Sequence, residues 1–401
     1  MMVVSDFSEK DVLRKVTGDY SRSLSAVLPA LTAAIGSPVD TEFHPDAKLC
    51  QQRLGVPDAR SAIVILIDGL GYWNLVDRIG HAPYLRSLFD ASDPEHSAGR
   101  HSIVTCYPTT TAAAMGSFGT GTCPGLTGML GYTQLNPRTG RIAQMIQFKG
   151  APKPEELQQE PTVFEKAAAK NVPVASIGLP AFKRSPLTRA ALRGTTYVPD
   201  RDPLGRAEQA AKCARKPGLT YLYIRVVDKA GHHYGWQSDE WATSLESADR
   251  QVRLVRELAP AGTVIAVVAD HGMVTMDSSL QIDVAQEPEL SQGVALTGGE
   301  PRALMLYAKR KANPDAIAQR WRNRLEEQAT VMTKNQAINA GLFGTVSERV
   351  RPMIGDVVVL CAGRTTIVDS RIQQERAMAM PGVHGSWTEA EARIPFLLDL
   401  N

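Results

Sequence analysis

An α/β fold, with a largely parallel central sheet flanked by helices on both faces, is predicted by three observations. Apolar runs of strand length recur at "SAIVILI", "LTYLYI" and "GTVIAVV". Their near-continuous hydrophobicity is the pattern of strands covered on both faces. Segments with helical apolar spacing stand between such runs, and that alternation builds parallel sheets. Lastly, the three runs lead to aspartates, Asp68, Asp228 and Asp270. Ligands of such sheets gather beyond the carboxyl ends of the strands.

The elements follow in order. Residues 1–60 mix short amphipathic helices with turns. "SAIVILIDGLG" is a buried strand that stops at Asp68. "SIVTCYPTTTAAAMGSFGTG" reads as strand, turn and helix. "TVFEKAAAK" is helical, and "VPVASIG" is a strand. "LTYLYIRVVD" is a strand ending on Asp228. "SDEWATSLESADRQVRLVREL" is a long amphipathic helix that starts at a serine cap. "GTVIAVVADHGM" is a buried strand ending on Asp270 and His271. "PRALMLYAK", a helix around "DAIAQRWRNRLEEQ", and "GDVVVLCAG" complete the pattern. The whole chain, 1–401, reads as one domain, with rim insertions expected near 133–160 and 275–350.

Composition bounds the function. Of 401 residues 43% are hydrophobic and 21% charged, and the net charge is +2, which indicates no nucleic-acid-binding surface. "MMVVSDFSEKDVLRKV" lacks the apolar core of a signal peptide, and no run is long enough for a membrane span. Five cysteines with no CxxC pair indicate reduced thiols rather than a disulfide frame. These points predict a cytoplasmic protein.

The chemistry lies in acids and imidazoles. In "DKAGHHYG", Asp228 and His232 stand four residues apart, so on a helix or in a tight turn they face one way. His233 then points elsewhere and reads as part of the pocket wall, where it would contact substrate, or as a residue that supports the ligands from behind. "ADHG" sets Asp270 beside His271, and "PGVHGSW" holds His384 between glycines. With Asp68 the set comprises three carboxylates and three imidazoles. Two dications that each want about three protein ligands match that count, and the oxygen–nitrogen mix suits zinc. His44, His81, His96 and His101 read as surface or structural residues. Arg302, Arg349 and Arg351 read as solvated charge, with contact to an anionic substrate as the other reading.

"LIDGLG", "YPTTTAAAMGSFGTGTCPGLTG", "VVDKAGHHYG", "VVADHGM" and "GVHG" occur in one order. That order resembles the alkaline phosphatase superfamily, and most of all its type I phosphodiesterase / nucleotide pyrophosphatase branch, over residues 60 to 390. The family's Pro-Thr-x-Thr motif is matched by Pro108, Thr109 and Thr111, with Thr120-Gly121 and Pro124 in step. The resemblance implies that Thr111 is the nucleophile. It implies one metal site of Asp68, Thr111, Asp270 and His271 and a second of Asp228, His232 and His384. The chain departs from nucleotide-cleaving members at Ala112, where an aromatic is usual, and at Thr127 and Tyr132, which replace a His and an Asn. Tyr132 still has a hydroxyl to offer a phosphoryl oxygen.

The resemblance implies a phosphodiesterase that passes through a phosphothreonine, needs two divalent ions, and acts on a small-molecule phosphate ester. A phosphomonoesterase with the same core and a non-catalytic metal-binding protein are the alternatives. A sulfatase is disfavoured, because Thr111 is followed by alanines.

Overall fold

A computed structural model describes residues 20–89 and 92–401. The opening segment, from which the lack of a signal peptide is read, lies outside these residues.

Seven strands form the main sheet. Their order is Ser102–Val104, Arg393–Leu400, Thr263–Val268, Ser61–Ile67, Leu219–Ile224, Val174–Gly178 and Thr196–Pro199. The five from Thr263–Val268 to Thr196–Pro199 run parallel. The Arg393–Leu400 strand lies antiparallel on Thr263–Val268. Every residue of Ser61–Ile67 and of Thr263–Val268 is buried, which explains their continuous apolar sequence. Burying one such aliphatic side chain contributes about 1.5–3 kcal/mol, so the two inner strands anchor the core. Leu66 is level with both Tyr223 and Val268, and this register brings the ends of three strands to one edge.

Helices flank the sheet. The long one spans Asp239–Leu258, and the Ser238 hydroxyl accepts the Trp241 N–H at 3.1 Å. "TVFEKAAAK" forms the Val163–Ala169 helix under a Thr162–Glu165 capping box. One placement differs from expectation. The strand before Asp228 ends at Ile224, and Asp228 sits in the first turn of the Val226–Tyr234 helix. The chain enters that helix at once, with Arg225 already in a helical conformation at its cap.

The segments between core motifs fold over the sheet edge. A hairpin pairs Thr133–Asn136 with Arg141–Gln144. A second, four-stranded antiparallel sheet has the order Val294–Glu300, Ala303–Ala308, Val357–Cys361 and Ala329–Thr333. It runs past the end of the expected 275–350 insertion. The Pro314–Leu325 helix buries Trp321 within this rim, its indole N–H donating to the Leu290 carbonyl at 3.0 Å. Among the described residues no helix is long and apolar enough to cross a membrane.

Candidate active site

The three acidic residues meet beyond the carboxyl edge of the main sheet. Asp68 follows its strand directly, and its carbonyl accepts the Asp228 N–H at 3.0 Å. Gly69 makes that approach possible. Its φ is +72°, and a Cβ there would stand 2.8 Å from the Asp228 Cα, so only glycine fits. Asp270 Oδ1 accepts the Gly69 N–H and the His271 N–H, both at 3.0 Å. The Tyr223 hydroxyl donates to Asp68 Oδ2. After these bonds Asp68 Oδ1, Asp228 Oδ1 and Asp270 Oδ2 remain buried with no hydrogen-bond partner.

The imidazoles are aimed by the backbone. His232 Nδ1 lies 2.8 Å from the Gly382 carbonyl, His271 Nδ1 3.0 Å from that of Gly272, and His384 Nδ1 2.7 Å from that of Thr109. A carbonyl only accepts, so each Nδ1 carries the proton and each Nε2 offers a lone pair. His271 Nε2 faces Asp270 Oδ2 at 3.5 Å and Asp68 Oδ1 at 3.6 Å, and His232 Nε2 faces Asp228 Oδ1 at 3.3 Å. His384 stacks on His271, with ring centroids 3.7 Å apart.

Thr111 opens the Thr111–Thr120 helix. Its Oγ1 stands 3.3 Å from His271 Nε2. Ala112, Ala113 and Ala114 behind it are wholly buried, and their small side chains let the helix start close under the cluster. Thr110 holds the cap position without bonding the helix N–H groups. Thr109 ties the His384 loop down. Its hydroxyl donates to the Ser386 carbonyl at 2.8 Å and accepts the Gly385 N–H at 3.0 Å.

Divalent cations fit this donor set. Ligand atoms of Asp228, His232 and His384 lie within 4.8 Å of one another, as do those of Asp68, Asp228 and His271. Asp228 therefore reaches toward both sets. Burial first, then the Asp270 and Asp228 charges, raise the Asp68 pKa well above the carboxylate range. Burial also raises that of Asp270. Burial, then His271 and His232, hold His384 well below its ordinary value. Three crowded acids with unpaired oxygens and three imidazoles with free lone pairs form an arrangement that a dication relieves.

A cavity of about 1480 Å3 opens from Asp68, Thr111, Asp228, His232 and His384. Tyr132 lies on its wall, 45% exposed. His233 does not: it is exposed on the far side of its helix, with Nδ1 2.9 Å from the Lys229 carbonyl. Arg302 departs from the surface reading. It is wholly buried and grips Glu391 with two prongs. Arg349 is spent on the carbonyls of Leu157 and Leu126, while Arg351 is exposed and bonds Asn335. Sequence reasoning passed over Glu300. It is buried on the cavity wall, Oε1 has no partner, and burial pushes its pKa up to about 8. Its only signal was an acid at the end of a rim strand.

Fold and site together set a buried carboxylate–imidazole cluster at the strand ends of an α/β sheet. The chain belongs to the type I phosphodiesterase / nucleotide pyrophosphatase family, whose model matches residues 62–387. That membership places it among the hydrolases of phosphate esters. No curated protein matches the chain at a significant level. Solved structures share its fold. Human ectonucleotide pyrophosphatase / phosphodiesterase 5 is 14% identical, with 84% of this chain and 87% of that chain covered and a TM-score of 0.66. An inactive threonine-to-alanine form of the murine protein, in complex with AMP, is 12% identical over 84% and 87%, with a TM-score of 0.64. Phosphonoacetate hydrolase from Sinorhizobium meliloti 1021, in complex with phosphonoacetate, is 19% identical over 85% and 90%, with a TM-score of 0.63.

Proposed function

We propose that the protein is a phosphodiesterase acting on a small-molecule ester through Thr111, at a centre for two divalent ions. One observation carries this reading: Thr111 Oγ1 meets His271 Nε2 at 3.3 Å beside the unpartnered oxygens of Asp68 and Asp270. Asp68, Thr111, Asp270 and His271 make one ligand set, and Asp228, His232 and His384 the other. The mixed oxygen–nitrogen donors favour zinc.

Divalent cations held by Asp68, Asp228, His232, Asp270, His271 and His384 would supply the charge that lowers the Thr111 hydroxyl pKa and offsets that of the phosphoryl oxygens. Thr111 Oγ1 gives up its proton to solvent and attacks phosphorus in line. The bond from phosphorus to the leaving oxygen breaks, and the departing group takes a proton from solvent. Water then cleaves the phosphothreonine and restores the hydroxyl. The first-turn N–H groups of the Thr111–Thr120 helix face the phosphoryl group and stabilise its charge. Tyr132 donates its hydroxyl to a substrate oxygen from the cavity wall. All five cysteines are unpaired, which supports a reducing, cytoplasmic setting.

The test replaces Thr111 by alanine and assays an aryl phosphodiester, with metal content measured on the same protein. We expect turnover to fall on the order of 10³-fold or more, with the fold retained. Near-wild-type turnover would overturn the nucleophile assignment. Parallel rates on an aryl monoester distinguish diester from monoester cleavage.

A further inference from the structure

Arg225, Asp228 and His232 follow one another at steps of three and four residues along the Val226–Tyr234 helix and its cap, where Arg225 is already helical. Residues so spaced share a helix face, with Cβ atoms about 5–6 Å apart. All three line the cavity that opens from Thr111. Arg225 therefore stands one helical turn from the proposed metal ligands.

An arginine and an aspartate three apart on a helix are within reach of each other, yet no ion pair joins these two. Asp228 Oδ1 faces His232 Nε2 at 3.3 Å instead and is buried without a hydrogen-bond partner. Arg225 is exposed, and among the described residues no carboxylate pairs with it. Its guanidinium carbon lies 5.7 Å from the centroid of the Phe182 ring, which also lines the cavity. A ring over one face fixes the plane of the guanidinium and leaves its N–H edges for a two-pronged contact with an anion.

The rim wall offers no equivalent near the reacting centre. Asp369 holds Arg371 at 2.6 and 2.7 Å. Lys309 lines the cavity too, but it lies six residues beyond Ala303, which is level with Glu300 beside His384. At about 3.4 Å per residue that is roughly 20 Å along the strand.

We propose that Arg225 is a specificity-determining residue, which binds an anionic group, a carboxylate or a phosphate, carried by one ester substituent of the substrate a few bonds from the phosphorus that Thr111 attacks. The proposal rests on the phosphodiesterase reading above and names the substituent that reading leaves open.

The test uses the full-length, metal-loaded protein and para-nitrophenyl phosphodiesters whose second ester is ethyl, 2-carboxyethyl or 2-(phosphooxy)ethyl. The nitrophenolate leaving group stays constant, so only the substituent varies. We expect kcat/KM for an anionic ester to exceed that for the ethyl ester by about 10- to 100-fold, the effect of a hydrogen bond between charged groups. The ester that gains more tells carboxylate from phosphate. Arg225→Gln should erase the gain, and Arg225→Lys should keep part of it. Equal wild-type rates on all three esters overturn the subsite and leave the phosphodiesterase reading intact. A gain that survives Arg225→Gln overturns it as well. So does an equal loss on every ester in that variant, since the guanidinium would then serve the phosphoryl group that all three share. If no ester is cleaved, the phosphodiesterase reading fails, and calorimetry with ethyl phosphate, 2-carboxyethyl phosphate and ethylene bisphosphate decides the subsite. Tighter binding of a doubly anionic ligand that Arg225→Gln abolishes supports it; equal binding overturns it.

Discussion

Arg302 and Glu391 form a wholly buried, two-pronged ion pair, with Nε to Oε1 at 2.7 Å and Nη2 to Oε2 at 2.8 Å. The same carboxylate accepts the Ser386 N–H at 2.9 Å and the Thr388 hydroxyl at 2.5 Å. The pair thus joins the rim sheet to the loop that carries His384. Arg302→Met leaves a carboxylate buried without its countercharge, and we expect a loss of about 3–5 kcal/mol in urea unfolding. Combined with Glu391→Leu, the loss should be smaller than the sum of the two single losses.

The acidic cluster sets stability against function. Asp270→Asn keeps the oxygen that accepts the Gly69 and His271 N–H groups and removes one of three crowded charges. The metal-free variant should melt above metal-free wild type. On the proposed zinc reading, the ion at a hundred times its Kd should stabilise wild type by about 2.7 kcal/mol, and the variant should lose most of that gain. Thermal unfolding with and without a chelator measures both effects.

Thr109 touches no phosphate in the proposed reaction, yet its carbonyl and hydroxyl hold both His384 and the loop after it. Thr109→Val keeps the carbonyl and removes the hydroxyl. Metal affinity should drop about 10- to 100-fold, the usual effect of losing a group that orients a ligand. Calorimetric zinc titration is the readout, with far-UV circular dichroism to confirm the fold.

His44 gives acid sensitivity far from the cluster. Burial lowers its pKa to about 4 from 6.5, and its Nε2 lies 2.8 Å from the Ser25 hydroxyl. Between those values the unfolded chain binds the proton and the folded chain does not. Its contribution is therefore complete above pH 6.5 and is lost as pH falls toward 4, on the order of 3 kcal/mol in all. His44→Gln should flatten that part of the stability–pH curve in denaturant titrations.

Much of the centre was readable before the fold was known. Strands buried on both faces advertise themselves as unbroken apolar runs, so Asp68 and Asp270 could be placed at their ends. The four-residue step from Asp228 to His232 holds on a helix whether or not the strand ends early. Arg302 was misread because an arginine beside a proline looks like surface. Its burial depends on Glu391, eighty-nine residues away, and local pattern carries no such information. Glu300 was invisible for the same reason: it enters the cavity only because the rim strand folds over the sheet edge. His233 was placed on the pocket wall, although neighbours on a helix point in directions about 100° apart.

Peptide oxygens, rather than acidic partners, orient the rings of His232, His271 and His384. Their aim is therefore inherited from the path of the chain, and side-chain replacements nearby have little leverage over it. A centre built this way keeps its bearing while the surrounding walls diverge, so new substrates are gained by reshaping the chamber and leaving its reactive heart alone.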